Sequence, residues 1–512
     1  MITRRNLIAG GLIAGAGLAL PKTGSAQMGG GGMGGMGGGM GGGMMGGGTS
    51  SPPTTAFQAP LPIPAVVSKE TRTDPVTGAL FDYCEVTQEV AHQQIIPGLW
   101  TEIWGYNGCF PGPTVVAKAG RPLCLRVYNH LPEETATHLH GGHVPATEDG
   151  HAMDFVMPET YRDYHYSNNQ IAAPLWYHDH TMCKTADHVI RGLAGFYINT
   201  DDFEASLPLP KAPYDIGLAI QDRLFNADGS FNYTLSGQTI MRGFTGDVIL
   251  VNGAVQPYFQ VATRMYRFRI LNGSNSRQYQ LSLSNGKPFI QVGSDLGLLP
   301  APVTRTSMLI SPGERFDVVL DFSKYNVGTQ IVLKNTLGSG RTADVMRFEV
   351  NRKELDNASV PSVLRPLRRI PTTESIRTRR FTLGMRTMTE FTINGLPYDF
   401  NHVEATPTLG TTEIWELVNP MGMSHPMHAH AEAWQILDIN GRAPSAYDAG
   451  WKDVWLVPGM STVRIIGRFP DYSCCPDPAM NMESYMLHCH ILEHDDHGMM
   501  TQFKVIDPNA GM

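Results

Sequence analysis

The segment His488-Cys489-His490-Ile491-Leu492-Glu493-His494, closed by Met499, gathers the side chains from which a metal site is built. Cys489, His494 and Met499 offer a thiolate, an imidazole and a thioether. One more histidine completes the His₂Cys set with a weak methionine that holds a blue electron-transfer copper. On an extended backbone successive side chains alternate faces, so His488 and His490 point away from Cys489 and can bind other metals on the far side. Two adjacent residues would then join two copper centres about a dozen Å apart.

The missing histidine lies upstream, in His425-Pro426-Met427-His428-Ala429-His430. Two more dyads stand toward the N-terminus, His138-Leu139-His140-Gly141 and Trp176-Tyr177-His178-Asp179-His180. A single His-x-His carries little weight. Four clusters in one chain, with a cysteine and a methionine where a blue site needs them, point to metal.

These four clusters, in this order, resemble the motifs of the multicopper oxidases. The resemblance implies that His425, Cys489, His494 and Met499 bind a type 1 copper. It implies that His138 and His428 hold a type 2 copper, and that His140, His178, His180, His430, His488 and His490 hold a type 3 pair, making four coppers per chain. Gly195-Phe196-Tyr197-Ile198 closes the first unit much as in family members. Within the family the chain is most similar to the three-domain group of spore-coat laccases, bilirubin oxidases and phenoxazinone synthases. Asp149, nine residues beyond His140, falls where that group places an acidic residue near the trinuclear centre. Asp495, directly after His494, falls where it commonly carries the longer Glu. Both are expected to manage the protons that dioxygen reduction consumes.

Positioning these clusters takes a large chain, and 512 residues suffice for three ordinary domains. Three stretches look like versions of one unit: Asn107-Gly108 through Asn129, Asn252-Gly253 through Asn272, and Asn394-Gly395 through Asn419. Each runs from an Asn-Gly turn to a strand of alternating pattern ending in Asn. Repeats of this size predict an all-β protein of three consecutive Greek-key β-sandwich domains, which in the family are cupredoxin domains. The expected boundaries are 51–205, 206–370 and 371–512. Of 18 histidines, ten lie between His92 and His188 and eight between His402 and His497. The middle unit has none, so it is expected to be a spacer that brings the outer two together. It carries a turn-then-strand signal at Pro312-Gly313-Glu314-Arg315-Phe316-Asp317, and the arginine-rich stretch from Leu364 reads as the linker that follows.

The formal charge of −8 excludes a nucleic-acid partner or a basic membrane-binding face. Seven cysteines are few for a disulfide scaffold, and the adjacent Cys474 and Cys475 would make a strained bridge. Residues 1–26 start with Arg4-Arg5, continue through a short apolar run and end in Gly24-Ser25-Ala26. That reads as a twin-arginine export signal, predicting a periplasmic or extracellular protein with no membrane span. Residues 27–50 form a Gly/Met-rich segment, 28 to 48 being only glycine and methionine. This composition cannot bury a core, and its thioethers are soft ligands that favour Cu(I).

The function implied is a laccase-like oxidase. A phenolic, aromatic-amine or pigment-type donor would give up single electrons at the type 1 copper, with His425 and His494 near the surface. Cys489 would pass them through His488 and His490 to the site where dioxygen becomes water. An axial Met499 favours easily oxidised donors. The alternative is a cuprous oxidase acting in copper tolerance, to which the Gly/Met tract and the methionines from Met421 to Met486 lend weight. A non-catalytic cupredoxin scaffold would not keep the full ligand set.

Overall fold

In the computed structural model, residues 50–477 and 480–509 are described. The expected export signal at residues 1–26 and residues 27–49 of the Gly/Met segment lie outside them. Six sheets pair into three β-sandwiches, whose strands come in turn from residues 70–200, 215–352 and 375–503. No strand crosses from one group to the next. In the first core, Val86, Leu125 and Tyr164 of one sheet meet Leu139, Leu175 and Tyr197 of the other. In the third, Trp415 and Ile465 face Met427, Leu487 and Cys489. Among the described residues no helix is long and apolar enough to cross a membrane, and all seven cysteines are free.

The internal repeat is visible atom by atom. Asn107-Gly108, Asn252-Gly253 and Asn394-Gly395 all have positive φ at both positions, the two-residue turn that matches strand twist. Each asparagine side chain accepts a backbone N–H from a neighbouring strand: Thr87 at 2.8 Å, Ala219 at 2.8 Å and Thr382 at 2.7 Å. The unit ends in Asn129, Asn272 and Asn419. Each of these accepts the N–H two residues on and donates to one carbonyl of the next loop, that of Glu133, Arg277 or Met423, and to another farther along the chain. In each unit the closing strand runs parallel to an earlier one, in pairings that include Gln88↔Asn129, Ile220↔Asn272 and Thr382↔Val418. Buried asparagines with every polar atom engaged leave the backbone one way to turn.

The middle sandwich is fastened to the first through a buried ion cluster. Glu204, on the short helix Asp202–Ser206, accepts from both Arg267 and Arg269 at 2.9 Å. Arg267 also grips Asp317, and Arg269 grips Asp215. Burial alone would raise the Glu204 carboxyl, but Arg269 and Arg267 outweigh it and hold the group at about 2. A carboxylate with a depressed folded value stabilises the fold above its unfolded value of 4.5, and that contribution is lost as pH falls through about 2. Glu204→Gln is therefore expected to lose about 3 kcal/mol at pH 7. The deficit against wild type should shrink steadily between those two values, as read from denaturant melts across the acid range.

Candidate metal centre

All four histidine clusters sit on or just past strand ends, and sheet pairing aligns them in twos. In the first sandwich Thr137–His140 pairs with Ala173–Asp179 so that His138 lies opposite His178. In the third, His425–Ala429 pairs with Tyr485–Cys489 so that His428 lies opposite His488 and Met427 opposite Cys489. Alternation then sorts the faces. Leu139 points into the first core, and Met427, Leu487 and Cys489 into the third. The intervening histidines of both sandwiches point the other way, toward one another.

The result is one buried cluster of eight rings: His138, His140, His178, His180, His428, His430, His488 and His490. His138 stacks on His430 with ring centres 3.8 Å apart, and His140 stacks on His428 at 3.7 Å. The Nε2 atom of His488 lies 3.2 Å from those of both His180 and His430. His140, His178 and His490 form a second group, with ring centres 5.0–5.7 Å apart. Burial, reinforced by the neighbouring rings, pushes His140, His178, His180, His428, His430 and His488 well below the usual imidazole value. It lowers His490 to about 3. The rings are therefore neutral, the form that binds metal.

Backbone carbonyls decide which nitrogen is free. Carbonyls can only accept, so the Nδ1 atoms of His138, His178 and His428 donate to Asp149 O at 2.7 Å, Asp179 O at 2.8 Å and Asp453 O at 2.8 Å. Each Nε2 is left with a lone pair and no partner. His140, His180 and His490 also carry unpartnered buried nitrogens. Convergent orphan lone pairs in a buried pocket are the signature of a metal site, with the carbonyls as its outer layer.

The sulfur site lies in the third sandwich. Cys489 Sγ is 3.5 Å from His425 Nδ1 and 3.8 Å from His494 Nδ1, and the two nitrogens are 3.3 Å apart. Burial pushes the Cys489 thiol up, so a thiolate there needs a cation beside it. Met499 is buried in the same core, and its backbone is bonded to Cys489 at 2.9 Å and to His494 at 2.8 Å. His488 Nδ1 returns to the Cys489 carbonyl at 3.1 Å. Five cation-competent groups among the described residues draw on these side chains: His425–Cys489–His494, His180–His430–His488, His138–His140–His178, His138–His428–His430 and His140–His428–Asp453. The donor set fits copper on both sides of Cys489.

The two carboxylates expected near the cluster are there. Asp149 Oδ2 meets His430 Nδ1 at 2.6 Å and Oδ1 stands 3.4 Å from His138 Nδ1. Asp495 Oδ1 lies 3.4 Å from His488 Nδ1. Burial raises both, against the pull of His138 for Asp149 and with help from Asp496 for Asp495.

His425 and His494, expected near the surface, are themselves fully covered, but the residue over His494, Met241, is half-buried and its neighbour Arg242 is exposed. Phe391 stacks on His494 at 3.9 Å, and the Met241 carbonyl, on the helix Gly237–Arg242 of the middle sandwich, stands 3.3 Å from His494 Nε2. The middle sandwich supplies no imidazole, yet it is more than a spacer. A Cβ on Gly313 (φ +80°) would stand 2.8–2.9 Å from the His490 ring, so only glycine fits against it. Arg315, two residues on, reaches Asp453, whose carboxylate is 3.4 Å from His140 Nε2. The sequence marks Gly313 and Arg315 only as part of a turn before a strand. Nothing in it marks Asp453, Phe391 or Met241.

Multicopper oxidase family models match residues 89–202 and 369–509. The chain is 36% identical over 522 residues to a laccase of Bacillus stratosphericus, covering 88% of this chain and 99% of that one. It is 36% identical over 482 residues to the bilirubin oxidase of Albifimbria verrucaria, covering 88% and 82%. The crystal structure of a laccase from Pediococcus acidilactici Pa5930 superposes with a TM-score of 0.80 at 32% identity, covering 90% and 95%. With eight histidines at one interface and a His-Cys-His strand joining it to a sulfur site, the chain belongs to the multicopper oxidase family, as a laccase-like copper oxidoreductase that uses dioxygen as electron acceptor.

Proposed function

We propose that His425, Cys489, His494 and Met499 hold the type 1 copper and that His138 and His428 hold the type 2. His140, His178 and His490 then take one type 3 ion, and His180, His430 and His488 the other. The observation that carries this reading is the strand Tyr485–Cys489. It presents Cys489 to one ligand group and His488 to the other. Bound copper supplies one-electron redox chemistry at the sulfur site and four-electron reduction of dioxygen at the histidine cluster. The protein's own part is to fix the tautomers, exclude water and provide a covalent path of one residue from the thiol to each flanking ring.

The donor class we propose is a small phenol, aromatic amine or pigment, in line with the names of the laccase and bilirubin oxidase relatives. Because His425 and His494 are covered, the donor does not touch metal. It rests on the layer built by Phe391 and the helix Gly237–Arg242, and the electron crosses that layer. Asp149 and Asp495 hold the protons for oxygen reduction, each within 3.4 Å of a cluster imidazole. We further propose export across the cytoplasmic membrane, on the strength of Arg4-Arg5 and the short apolar run that follows.

Anaerobic mixing with a phenolic donor should bleach the blue colour, and admitting air should restore it. Colour that survives every donor tried rules out an oxidase. The same assay on cuprous ion, with and without residues 28 to 48, ranks the copper-tolerance alternative against the phenol. In Cys489→Ser the blue band should vanish while about three of the four coppers stay bound, by absorbance and metal analysis. A retained blue band excludes Cys489 as its ligand. Asp149→Asn keeps an acceptor for His430 but no ionisable group. It should leave donor oxidation at the type 1 site unchanged and slow anaerobic-to-aerobic reoxidation by about 10²-fold. Stopped-flow reoxidation at the wild-type rate would release Asp149 from this role.

A further inference from the structure

We infer that Arg315, from the sandwich that supplies no ligand, is a positioning residue for the type 2 copper. It acts through Asp453 on His428 and His140. The inference rests on the ligand assignment proposed above.

Arg315 is fully buried where all three sandwiches meet, and each of its five N–H groups has an acceptor. Nε donates to Pro174 O at 3.0 Å, on the first-sandwich strand that carries His178. Nη1 donates to Gly313 O at 2.9 Å, and Nη2 to Asp295 O at 3.0 Å, both within the middle sandwich. The remaining two grip the Asp453 carboxylate of the third sandwich as a fork, at 2.7 and 2.6 Å. A planar five-donor guanidinium with every donor engaged has a single orientation, which a lysine could not reproduce.

What Arg315 fixes is a residue that faces two ligands at once. The backbone carbonyl of Asp453 receives the Nδ1–H of His428, and its carboxylate stands 3.4 Å from His140 Nε2. The first contact leaves His428 Nε2 buried without a partner, and beside the second both ring nitrogens of His140 are buried without a hydrogen bond. The residues flanking Asp453 are pinned to the same sandwich. Lys452 Nζ reaches Asp295 at 3.0 Å and Glu314 at 2.9 Å, and Val454 N reaches Asp295 Oδ2 at 3.3 Å. Asp453 thus has little freedom except what Arg315 allows. Without the fork, its carboxylate would be a buried charge free to turn toward His140, and its carbonyl would be released from a fixed line to His428.

Outer-layer partners of metal-bound histidines are worth about 10- to 100-fold in metal affinity. Type 2 copper, held by only two imidazoles from this protein, should show that loss first. The test compares wild type, Arg315→Met and Asp453→Asn, purified with copper, by metal analysis and electron paramagnetic resonance, with thermal melting alongside. In Arg315→Met the type 2 signal should fall several-fold relative to the type 1 signal while the blue band persists. Asp453→Asn, which keeps the side-chain volume, gives the same answer where the methionine variant does not fold. An unchanged ratio of type 2 to type 1 signal in a folded variant, even one that melts earlier, overturns the inference and leaves Arg315 as an interdomain tie only. His428→Ala tests the ligand assignment separately. A full type 2 signal there removes the assignment and this inference together. Its loss there with an unchanged ratio in the other two variants removes the inference alone.

Discussion

Eight imidazoles pressed together in one buried cluster set the terms for the rest of the molecule. Each buried nitrogen that lacks a partner costs about 1–3 kcal/mol, and His140 and His490 each have two such atoms. No single sandwich could afford to carry the whole set on an open face, where water would occupy the site and mobile side chains would compete for the ions. The cluster exists because two half-sites, each rigid by virtue of its own sheet, are held face to face. Copper binding then repays the orphaned lone pairs, so metal affinity and stability of the interface are one quantity seen from two sides.

Holding two sandwiches in register is a task for the third. Its fastenings are ionic and buried: Glu204 with Arg267 and Arg269 toward the first sandwich, Arg315 with Asp453, and Lys452 with Asp295 and Glu314, toward the third. Buried pairs of this kind contribute modestly to net stability because desolvation offsets most of their attraction. They are directional, however, and an error of an ångström in the docking would separate His180 from His488. Apolar contacts would hold the sandwiches together as strongly without choosing one placement. The same middle sandwich covers the sulfur site with the helix Gly237–Arg242, so it sets what a donor meets as well as where the ligands stand.

Much of this was legible in the residues. The alternation that separates Cys489 from His488 and His490, the three Asn-Gly turns and the gap in the histidine distribution each has a local physical cause. Local causes leave local patterns. Arg315, Asp453 and Phe391 left none, because their meaning depends on partners more than a hundred residues away, or on a stacking contact that no spacing encodes. The thin cover over His425 and His494 left no pattern for the same kind of reason. Outer-sphere electron transfer requires only a short distance, and Phe391 and Met241 fill that distance with protein. The gap in the histidines correctly placed the ligands elsewhere, but a lack of imidazole is no measure of how near a domain stands to the metal.

The choice of a β-strand for the His-Cys-His segment follows from what the site must do. A helix would place residues 488, 489 and 490 about 100° apart around one axis, splaying the three side chains in three different directions. A strand gives two opposed faces and no third direction. Cys489 therefore enters the apolar core, where a thiol with no competing water can meet His425 and His494, while its two neighbours face the interface. Pairing with His425–Ala429 locks this choice, since His428 must stand opposite His488 and Met427 opposite Cys489. A slip of one residue would send every ligand to the wrong face at once. The sulfur site and the histidine cluster are thus kept on opposite faces of one pleated strand, and joined by its backbone.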